Sequence, residues 1–250
     1  MGGPWLLGCI AAVAAIGVVE FYRAFGPVTK VMYALNIISV SAYMILIALF
    51  GVSAAFAVTI IFLVAAMAHN VLTHKDRDIS RPMVMVFGFI YIAVTLSTVF
   101  LVRESAGGIY AVWLIFIAAW GCDTGAYFSG MLFGRRKLAP VLSPKKTVEG
   151  AIGGTIIATA LGAGFGLVLY NLGEIEANSI IMYATITFIC SIAGQFGDLA
   201  ASAIKRQRGI KDFGNLMPGH GGALDRFDSI IFAAPIAYLM LMLFEAGSVL

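Results

Sequence analysis

The segment from Ser202 to Ser229 concentrates charge in a chain that is otherwise almost uniformly apolar. It holds five Lys or Arg, three Asp, one His and several glycines. Clustered basic side chains suit a polyphosphate, and carboxylates beyond a Gly-rich turn suit the divalent cation that accompanies one. We therefore expect phosphate and metal chemistry here. The residues of this segment assigned to that chemistry are Lys205, Arg206, Lys211, His220, Gly221, Gly222, Asp225, Arg226 and Asp228.

Carboxylates in and just before this segment are predicted to hold the cation. Asp225 and Asp228 lie three positions apart, on one face if the chain is helical there. Mg²⁺ usually takes one or two carboxylates plus phosphate oxygens of the substrate, so these two and Asp198 supply enough ligands. The alternative is a salt bridge from Asp225 or Asp228 to Arg226 or Lys211.

Asp198 is predicted to lie at the end of its helix, where the helix dipole disfavours a carboxylate. That position predicts a cationic partner, either the metal or Lys205 or Arg206. We expect the helix to continue through Lys205, which would then lie almost two turns beyond Asp198 on the same face. Lys205, Arg206 and Lys211 are expected to act on the phosphates.

The turn Pro218-Gly-His-Gly-Gly222 requires backbone freedom that glycine provides, and its N–H groups can form an anion-binding nest. We expect Gly221 and Gly222 to contact the substrate there, with Arg226 just beyond. His220 is grouped with the catalytic residues, as a residue that stabilises the turn or touches a phosphate rather than as a base.

Asp123 lies well inside an apolar stretch. An ionisable residue at membrane depth is a functional hypothesis by default, so Asp123 is predicted to be catalytic; a structural carboxylate paired to a neighbouring helix is the alternative. Gly121 and Gly125, at a spacing of four, favour a close approach of another helix.

A second basic cluster follows Asp123. Lys145, Lys146 and Thr147 come after Ser143-Pro144 and are predicted to open a helix, whose N-terminus attracts phosphate. Ser143, Lys145, Lys146 and Thr147 are therefore expected to bind the substrate. Arg135, Arg136 and Lys137, which precede this cluster, are interpreted instead as anchors that fix the membrane topology.

The surrounding elements are predicted to be membrane helices. Hydrophobic residues make up 61% of the 250 and charged residues 12%, against about 25% charged in soluble domains. Spanning a bilayer takes roughly 20 apolar residues, and no alternating strand pattern indicates a β-barrel. We predict an all-α polytopic protein with about eight transmembrane helices, a scaffold at 1–108 and a catalytic region at 109–250. The apolar stretches are 4–22, 31–50, 51–68, 83–102, 109–132, 150–170, 179–201 and 229–248.

Basic residues predict the orientation. If every stretch crosses, 15 of the 16 Lys and Arg fall in loops on one side, and only Arg103 falls on the other. The positive-inside rule places the basic loops in the cytoplasm. We expect a protein of a prokaryotic inner or cell membrane, with its active site on the cytoplasmic side and a first helix that is retained rather than cleaved.

The charged segments together resemble the phosphatidate cytidylyltransferases, or CDP-diacylglycerol synthases. The resemblance rests on four blocks and covers residues 119–229 densely. The blocks are Asp123-Thr-Gly-Ala-Tyr127, Ser143-Pro-Lys-Lys-Thr with Glu149-Gly, Gly194-Gln-Phe-Gly-Asp198-Leu, and Ser202…Lys205-Arg206…Lys211-Asp212…Pro218-Gly-His-Gly-Gly222…Asp225-Arg226…Asp228.

The resemblance implies that CTP and phosphatidic acid condense to CDP-diacylglycerol and pyrophosphate, with Mg²⁺ and room for a second, monovalent cation. It also implies a homodimer and no nucleic-acid partner. A cytidylyltransferase for another lipid phosphate is the alternative. A secondary transporter would require charge near mid-membrane in two symmetric halves, whereas charge here clusters on one side of the membrane and is densest in the C-terminal half.

Family members usually begin with one more basic-flanked helix, which would give about nine spans. This chain starts almost directly in the helix that contains Glu20. A naturally short member and a missing first helix both fit this difference.

Overall fold

A computed structural model describes residues 3–73, 79–216 and 221–247. Within them, eight helices are long and apolar enough to cross a membrane. They contain 21 to 30 residues each, or about 32 to 45 Å of helix against a hydrocarbon core of about 30 Å. The prediction of an all-α polytopic protein with eight spans is confirmed. The helices are α1 Gly3–Phe25, α2 Lys30–Phe50, α3 Val52–Thr73, α4 Ser80–Glu104, α5 Gly108–Phe133, α6 Val148–Asn171, α7 Asn178–Gln207 and α8 Leu224–Gly247.

Packing divides the chain into two compact units. The first unit contains residues 1–97 together with 208–226, and the second contains residues 98–207 together with 227–250. The first unit therefore joins the start of the chain to a segment near its end. The predicted boundary between residues 108 and 109 separates a scaffold from a catalytic region. It divides the chain by function rather than by packing, so it stays a prediction.

The first unit has an aromatic core on α1. The Tyr22 hydroxyl donates a hydrogen bond to the Met85 carbonyl at 2.9 Å. Gly88 permits this approach, because a Cβ there would lie 2.7 Å from the Phe21 ring. Phe213 packs on Phe21 with 6.3 Å between ring centroids. The later segment of this unit is thereby anchored to α1.

The second unit is held together by glycines at helix crossings. A Cβ at Gly125 of α5 would lie 2.9 Å from Ile157 of α6, and one at Gly154 of α6 would lie 2.6 Å from the Cys122 carbonyl oxygen. Gly121 similarly faces Leu161. The prediction that the α5 glycines permit close helix approach is confirmed.

A two-stranded antiparallel hairpin joins α5 to α6. Its strands are β1 Lys137–Ala139 and β2 Ser143–Thr147. The Glu149 carboxylate stabilises it by accepting hydrogen bonds from the Arg135 and Arg136 N–H groups, at 3.0 and 3.1 Å.

This hairpin corrects the prediction that Lys145 and Lys146 open a helix. Both lie in β2, and α6 begins only at Val148. The physical reason is the cap: Thr147 is extended, with φ −119° and ψ 154°, and its hydroxyl accepts a hydrogen bond from the Gly150 N–H at 3.1 Å. An N-cap residue has this non-helical geometry by definition.

Helix α7 is longer than its apolar stretch. The predicted continuation through Lys205 is confirmed, and the helix ends at Gln207. The expected position of Asp198 at a helix C-terminus is therefore wrong, because Asp198 lies nine residues before that end. Ala, Lys and Arg beyond the apolar stretch are strong helix formers and extend α7.

Candidate active site

The second unit contains a polar cavity of about 440 Å³. Helices α5 and α7 and the hairpin strand β2 contribute its charged side chains. It brings together five of the residues predicted from sequence to act in the site: Asp123, Lys145, Lys146, Thr147 and Asp198. The glycines Gly130 and Gly150 also line it.

Lys146 and Asp198 form an ion pair in this cavity. Both side chains are partly exposed, at 27% and 23%, so the pair faces the cavity rather than a closed core. The Ser202 hydroxyl, one turn further along α7, donates to the second Asp198 oxygen at 3.4 Å. Asp198 thus has the cationic partner that its position predicted, but the partner is Lys146 of the hairpin rather than Lys205 or Arg206.

Asp123 lies beside this pair. It is exposed and lines the cavity, and the charges of Lys146 and Asp198 both act on it. A π-helical segment, Ile117–Gly121, ends two residues before it. Such a segment shifts the side chains that follow it around the helix axis and is frequent at functional sites.

Lys205 and Asp228 form a second, buried group in the same unit. Each side chain is 8% exposed, and the charges of Lys205 and Asp198 both act on Asp228. Gly197 makes this possible, because a Cβ there would lie 2.5 Å from the Asp228 carbonyl oxygen. The positive charge of Lys205 partly offsets the cost of burying the Asp228 carboxylate.

Gly221 and Gly222, the described residues of the glycine turn, lie in the first unit, and the Gly222 N–H donates to a carboxylate of the chain itself. Gly221 has φ +84°, which glycine adopts without strain. One Asp225 oxygen accepts from the Phe213 N–H at 2.8 Å and the Gly222 N–H at 3.0 Å. The Gly222 N–H, predicted to contact the substrate, therefore donates to Asp225. The assignment of Asp225 as a metal ligand and of Gly221 and Gly222 as substrate contacts stays a prediction.

Glu20 has a structural role within the first unit that sequence reasoning missed. It is only 5% exposed, and its two oxygens accept hydrogen bonds from the Ala223 and Leu224 N–H groups at 3.1 and 2.9 Å. The N-terminus of a helix offers free N–H groups and a positive dipole end to a carboxylate. The signal in the sequence that could have found it is a lone carboxylate within an otherwise apolar helix.

The remaining predicted residues lie outside the polar cavity. Arg206 is exposed and donates to the Leu142 carbonyl at 3.3 Å, which ties α7 to the hairpin. Ser143 begins β2, and Lys211 and Arg226 are exposed in the first unit. His220 lies outside the described residues.

The donor set of the cavity fits a hard divalent cation. Asp123 and Asp198 supply carboxylate oxygens, which Mg²⁺ prefers, and Mg²⁺ usually completes its shell with water and phosphate. Across residues 3–73, 79–216 and 221–247, no three His, Cys, Asp or Glu side chains form a ready metal cluster.

Comparison with known proteins gives a consistent result. A profile described as the cytidylyltransferase family matches residues 1–244. The phosphatidate cytidylyltransferase of Bacillus subtilis (strain 168) is 45% identical over 141 residues, 55% of this chain and 49% of that protein. The Staphylococcus haemolyticus (strain JCSC1435) protein of the same name is 41% identical over 155 residues, 62% of this chain and 54% of that one.

A third relative extends the match. The phosphatidate cytidylyltransferase of Staphylococcus aureus (strain COL) is 36% identical over 180 residues, 71% of this chain and 67% of that protein. The chain spans about half the length of the first two relatives.

Proposed function

This chain belongs to the cytidylyltransferase family, and on that premise we propose that it transfers the cytidylyl group of CTP to phosphatidic acid. The products are CDP-diacylglycerol and pyrophosphate, which serve phospholipid synthesis. Three bacterial relatives named phosphatidate cytidylyltransferase, at 36 to 45% identity, support the proposal.

The reaction exchanges one phosphorus–oxygen bond for another. An oxygen of the lipid phosphate attacks the α-phosphorus of CTP, and the bond from that phosphorus to the bridging oxygen of the β-phosphate breaks. The electron pair of that bond leaves with pyrophosphate. The lipid phosphate is already anionic near neutral pH, so it attacks without a dedicated general base. Catalysis then consists of positioning and of neutralising charge on the triphosphate and the leaving group.

The polar cavity is the observation that carries the proposal. It combines two lysines with two carboxylates inside a membrane-spanning unit. Lys145 and Lys146 would bind phosphate oxygens as point charges. Asp198, with Asp123 beside it, would hold Mg²⁺, which when bound neutralises phosphate charge. Asp225 and Asp228 remain proposed ligands, and Lys205, Arg206 and Lys211 remain proposed phosphate contacts.

The test is direct turnover by the purified protein. Radiolabelled CTP and Mg²⁺ are supplied with phosphatidic acid, and with diacylglycerol as the acceptor that lacks a phosphate. We expect a labelled liponucleotide and pyrophosphate in equal amounts with phosphatidic acid only. A panel of other lipid phosphates tests the alternative substrates. A higher kcat/KM with another lipid phosphate would show that phosphatidic acid is not the preferred substrate.

Two matched variants connect turnover to the cavity. Asp198→Asn removes a charge from the cavity, and we expect turnover to fall by about two to three decades, as loss of a charge-stabilising group typically produces. Glu176→Gln removes a charge from an exposed loop position and should leave the rate unchanged. Equal activity of both variants would contradict a catalytic cavity.

Three further properties are proposed with this function. We propose that the active site faces the cytoplasm at a prokaryotic inner or cell membrane, that Mg²⁺ is required, and that the protein forms a homodimer. Light scattering of the detergent-solubilised protein measures its oligomeric state. Turnover after removal of Mg²⁺ with a chelator measures the requirement for the cation.

A further inference from the structure

Gln195 is an uncharged polar residue of the cavity, one turn before Asp198 on α7. The two residues are three positions apart, so they share one face of the helix and lie about 4.5 Å apart along its axis. Gln195 is half-buried and lines the cavity. Polar side chains in the interior of a membrane bundle form hydrogen bonds across helices. The partners of Gln195 therefore show which helices are joined beside Asp198.

The amide nitrogen of Gln195 has acceptors on both neighbouring helices. It donates to the Thr155 hydroxyl at 2.9 Å and to the Ala151 carbonyl at 3.3 Å, both on α6. It also donates to the Cys122 sulfur on α5 at 3.3 Å. Because a backbone carbonyl can only accept, Ala151 determines which end of the amide is the nitrogen. One side chain thus joins α5, α6 and α7 at a single point.

The acceptor on α5 is the neighbour of a cavity carboxylate. Cys122 is 2% exposed and immediately precedes Asp123, which is exposed in the cavity. Successive residues of a helix point about 100° apart, so Cys122 can face Gln195 while Asp123 faces the cavity. The bond from Gln195 to Cys122 therefore holds Asp123 at a fixed distance from Asp198.

We propose that Gln195 is a positioning residue that sets the separation of Asp123 and Asp198. The proposal rests on the proposed function, in which these two carboxylates hold Mg²⁺, and it adds a residue that acts on the cation only through them. Mg²⁺ requires near-ideal octahedral geometry, so a changed separation of two ligands weakens its binding. Partners that orient metal ligands typically contribute about ten- to a hundredfold in affinity or activity.

The Gln195 amide contributes to geometry more than to stability. Close contacts at Gly125 and Gly154 already hold α5 against α6, and hydrogen bonds between membrane helices stabilise little on average. Loss of the amide N–H groups should therefore leave the helices assembled and release the spacing between the two carboxylates.

Mn²⁺ binding to the purified protein, without CTP or lipid, tests the proposal. Mn²⁺ takes the same oxygen ligands as Mg²⁺, and its electron paramagnetic resonance signal measures the free ion. The binding that Asp198→Asn abolishes belongs to the cavity. We expect Gln195→Met, which keeps the length of the side chain and removes its donors, to weaken this binding by about ten- to a hundredfold.

Gln207→Met is the matched control, because it makes the same substitution on the same helix at an exposed position outside the cavity. Its Mn²⁺ affinity should equal that of the wild-type protein. Equal affinities of Gln195→Met and Gln207→Met would overturn the proposal, as would a wild-type protein whose cavity binds no Mn²⁺.

A second pair of variants tests the bond to α5 without changing Gln195. Cys122→Ala removes the acceptor, whereas Cys122→Ser keeps one. We expect weaker Mn²⁺ binding in Cys122→Ala, recovery in Cys122→Ser and similar Tm values for both. Cys122→Ala should add no further loss to Gln195→Met, because both remove the same contact. Equal affinities of the two Cys122 variants would overturn the proposal, whether or not Gln195→Met folds.

Turnover separates this proposal from the proposed function. With CTP and phosphatidic acid, Gln195→Met should require about ten- to a hundredfold more Mg²⁺ for half-maximal turnover than Gln207→Met. A wild-type protein that makes no liponucleotide, but whose Mn²⁺ binding depends on Gln195 as described, would contradict the proposed function and support the positioning role.

Discussion

Lys146 and Asp198 are the two residues on which the charge balance of the polar cavity depends. Lys146 reaches the cavity from a short strand, and Asp198 reaches it from the middle of a helix of 30 residues. Each neutralises the other when no ligand is bound. Under the proposed function, a phosphate that binds Lys146 would leave Asp198 able to take up a cation, so the pair would couple anion binding to cation binding.

Replacement of Lys146 by Met removes the charge and keeps the length of the side chain. We expect Lys146→Met to lower kcat/KM for CTP by about two to three decades, because a charge that stabilises the transition state is lost. Lys137→Met is the control, since Lys137 is exposed on the other strand of the same hairpin and does not line the cavity. Steady-state kinetics measure both, and equal CTP kinetics in the two variants would show that Lys146 serves the fold only.

Glu20 supports a prediction about stability. Glu20→Gln replaces one of the two acceptor oxygens by an amide donor that faces a backbone N–H. Loss of a partner for a buried group costs about 1 to 3 kcal/mol, so we expect a lower Tm and faster hydrogen exchange at the Ala223 and Leu224 amides. Glu104→Gln, at an exposed carboxylate, should change neither. Unchanged exchange at both amides would contradict the role of Glu20 as their partner.

At the level of elements, the contact between α5 and α6 depends on single glycines. Helices in lipid associate through close packing rather than through the hydrophobic effect. A Cβ at Gly154 would lie 2.6 Å from a backbone carbonyl oxygen of α5, whereas one at Gly164, further along the same helix, would have no neighbour within 4 Å. Alanine substitutions at Gly154 and Gly164 therefore form a matched pair that measures how much this contact contributes to stability.

Gly154→Ala should separate α5 from α6 and lower stability by about 1 to 3 kcal/mol, the usual cost of overpacking. Gly164→Ala should be neutral or stabilising by up to about 1 kcal/mol, because alanine restricts the unfolded chain more than glycine does. Thermal unfolding in detergent measures the difference. Similar Tm values for the two variants would show that the helices accommodate the extra methyl group.

Sequence patterns predicted the helices and missed the connection that positions the cavity lysines. Each helix has a run of apolar residues that is long enough to predict a membrane span without any other information. The strand Ser143–Thr147 has no such run, and its pairing and its Glu149 support depend on contacts across the hairpin. The partners Lys146 and Asp198 are 52 positions apart, and no local pattern carries that information. Residue types therefore predicted candidate side chains for the site, and packing decided which of them meet.

At the scale of the whole molecule, the distribution of Lys and Arg predicts which loops face the cytoplasm. A background without Cys9, Cys122 and Cys190 permits single-cysteine labelling of intact cells. We expect Glu176→Cys to react with an impermeant maleimide from outside, and Lys137→Cys to react only after permeabilisation. The reverse pattern would place the cavity lysines on the outer face and contradict a cytoplasmic active site.

The hydrogen bonds of Glu20 also determine how long its carboxylate lacks its partners while the chain is being synthesised. Its partners lie 203 and 204 positions later in the chain. At about 5 to 20 residues per second, the ribosome delivers them on the order of 10 to 40 s after Glu20. During that interval the first helix carries a carboxylate without its final partners. In a nascent chain that stops before the last helix, the Glu20 carboxylate never gains these N–H partners. An incomplete product therefore differs from the finished protein in the hydrogen bonding of one residue near its N-terminus.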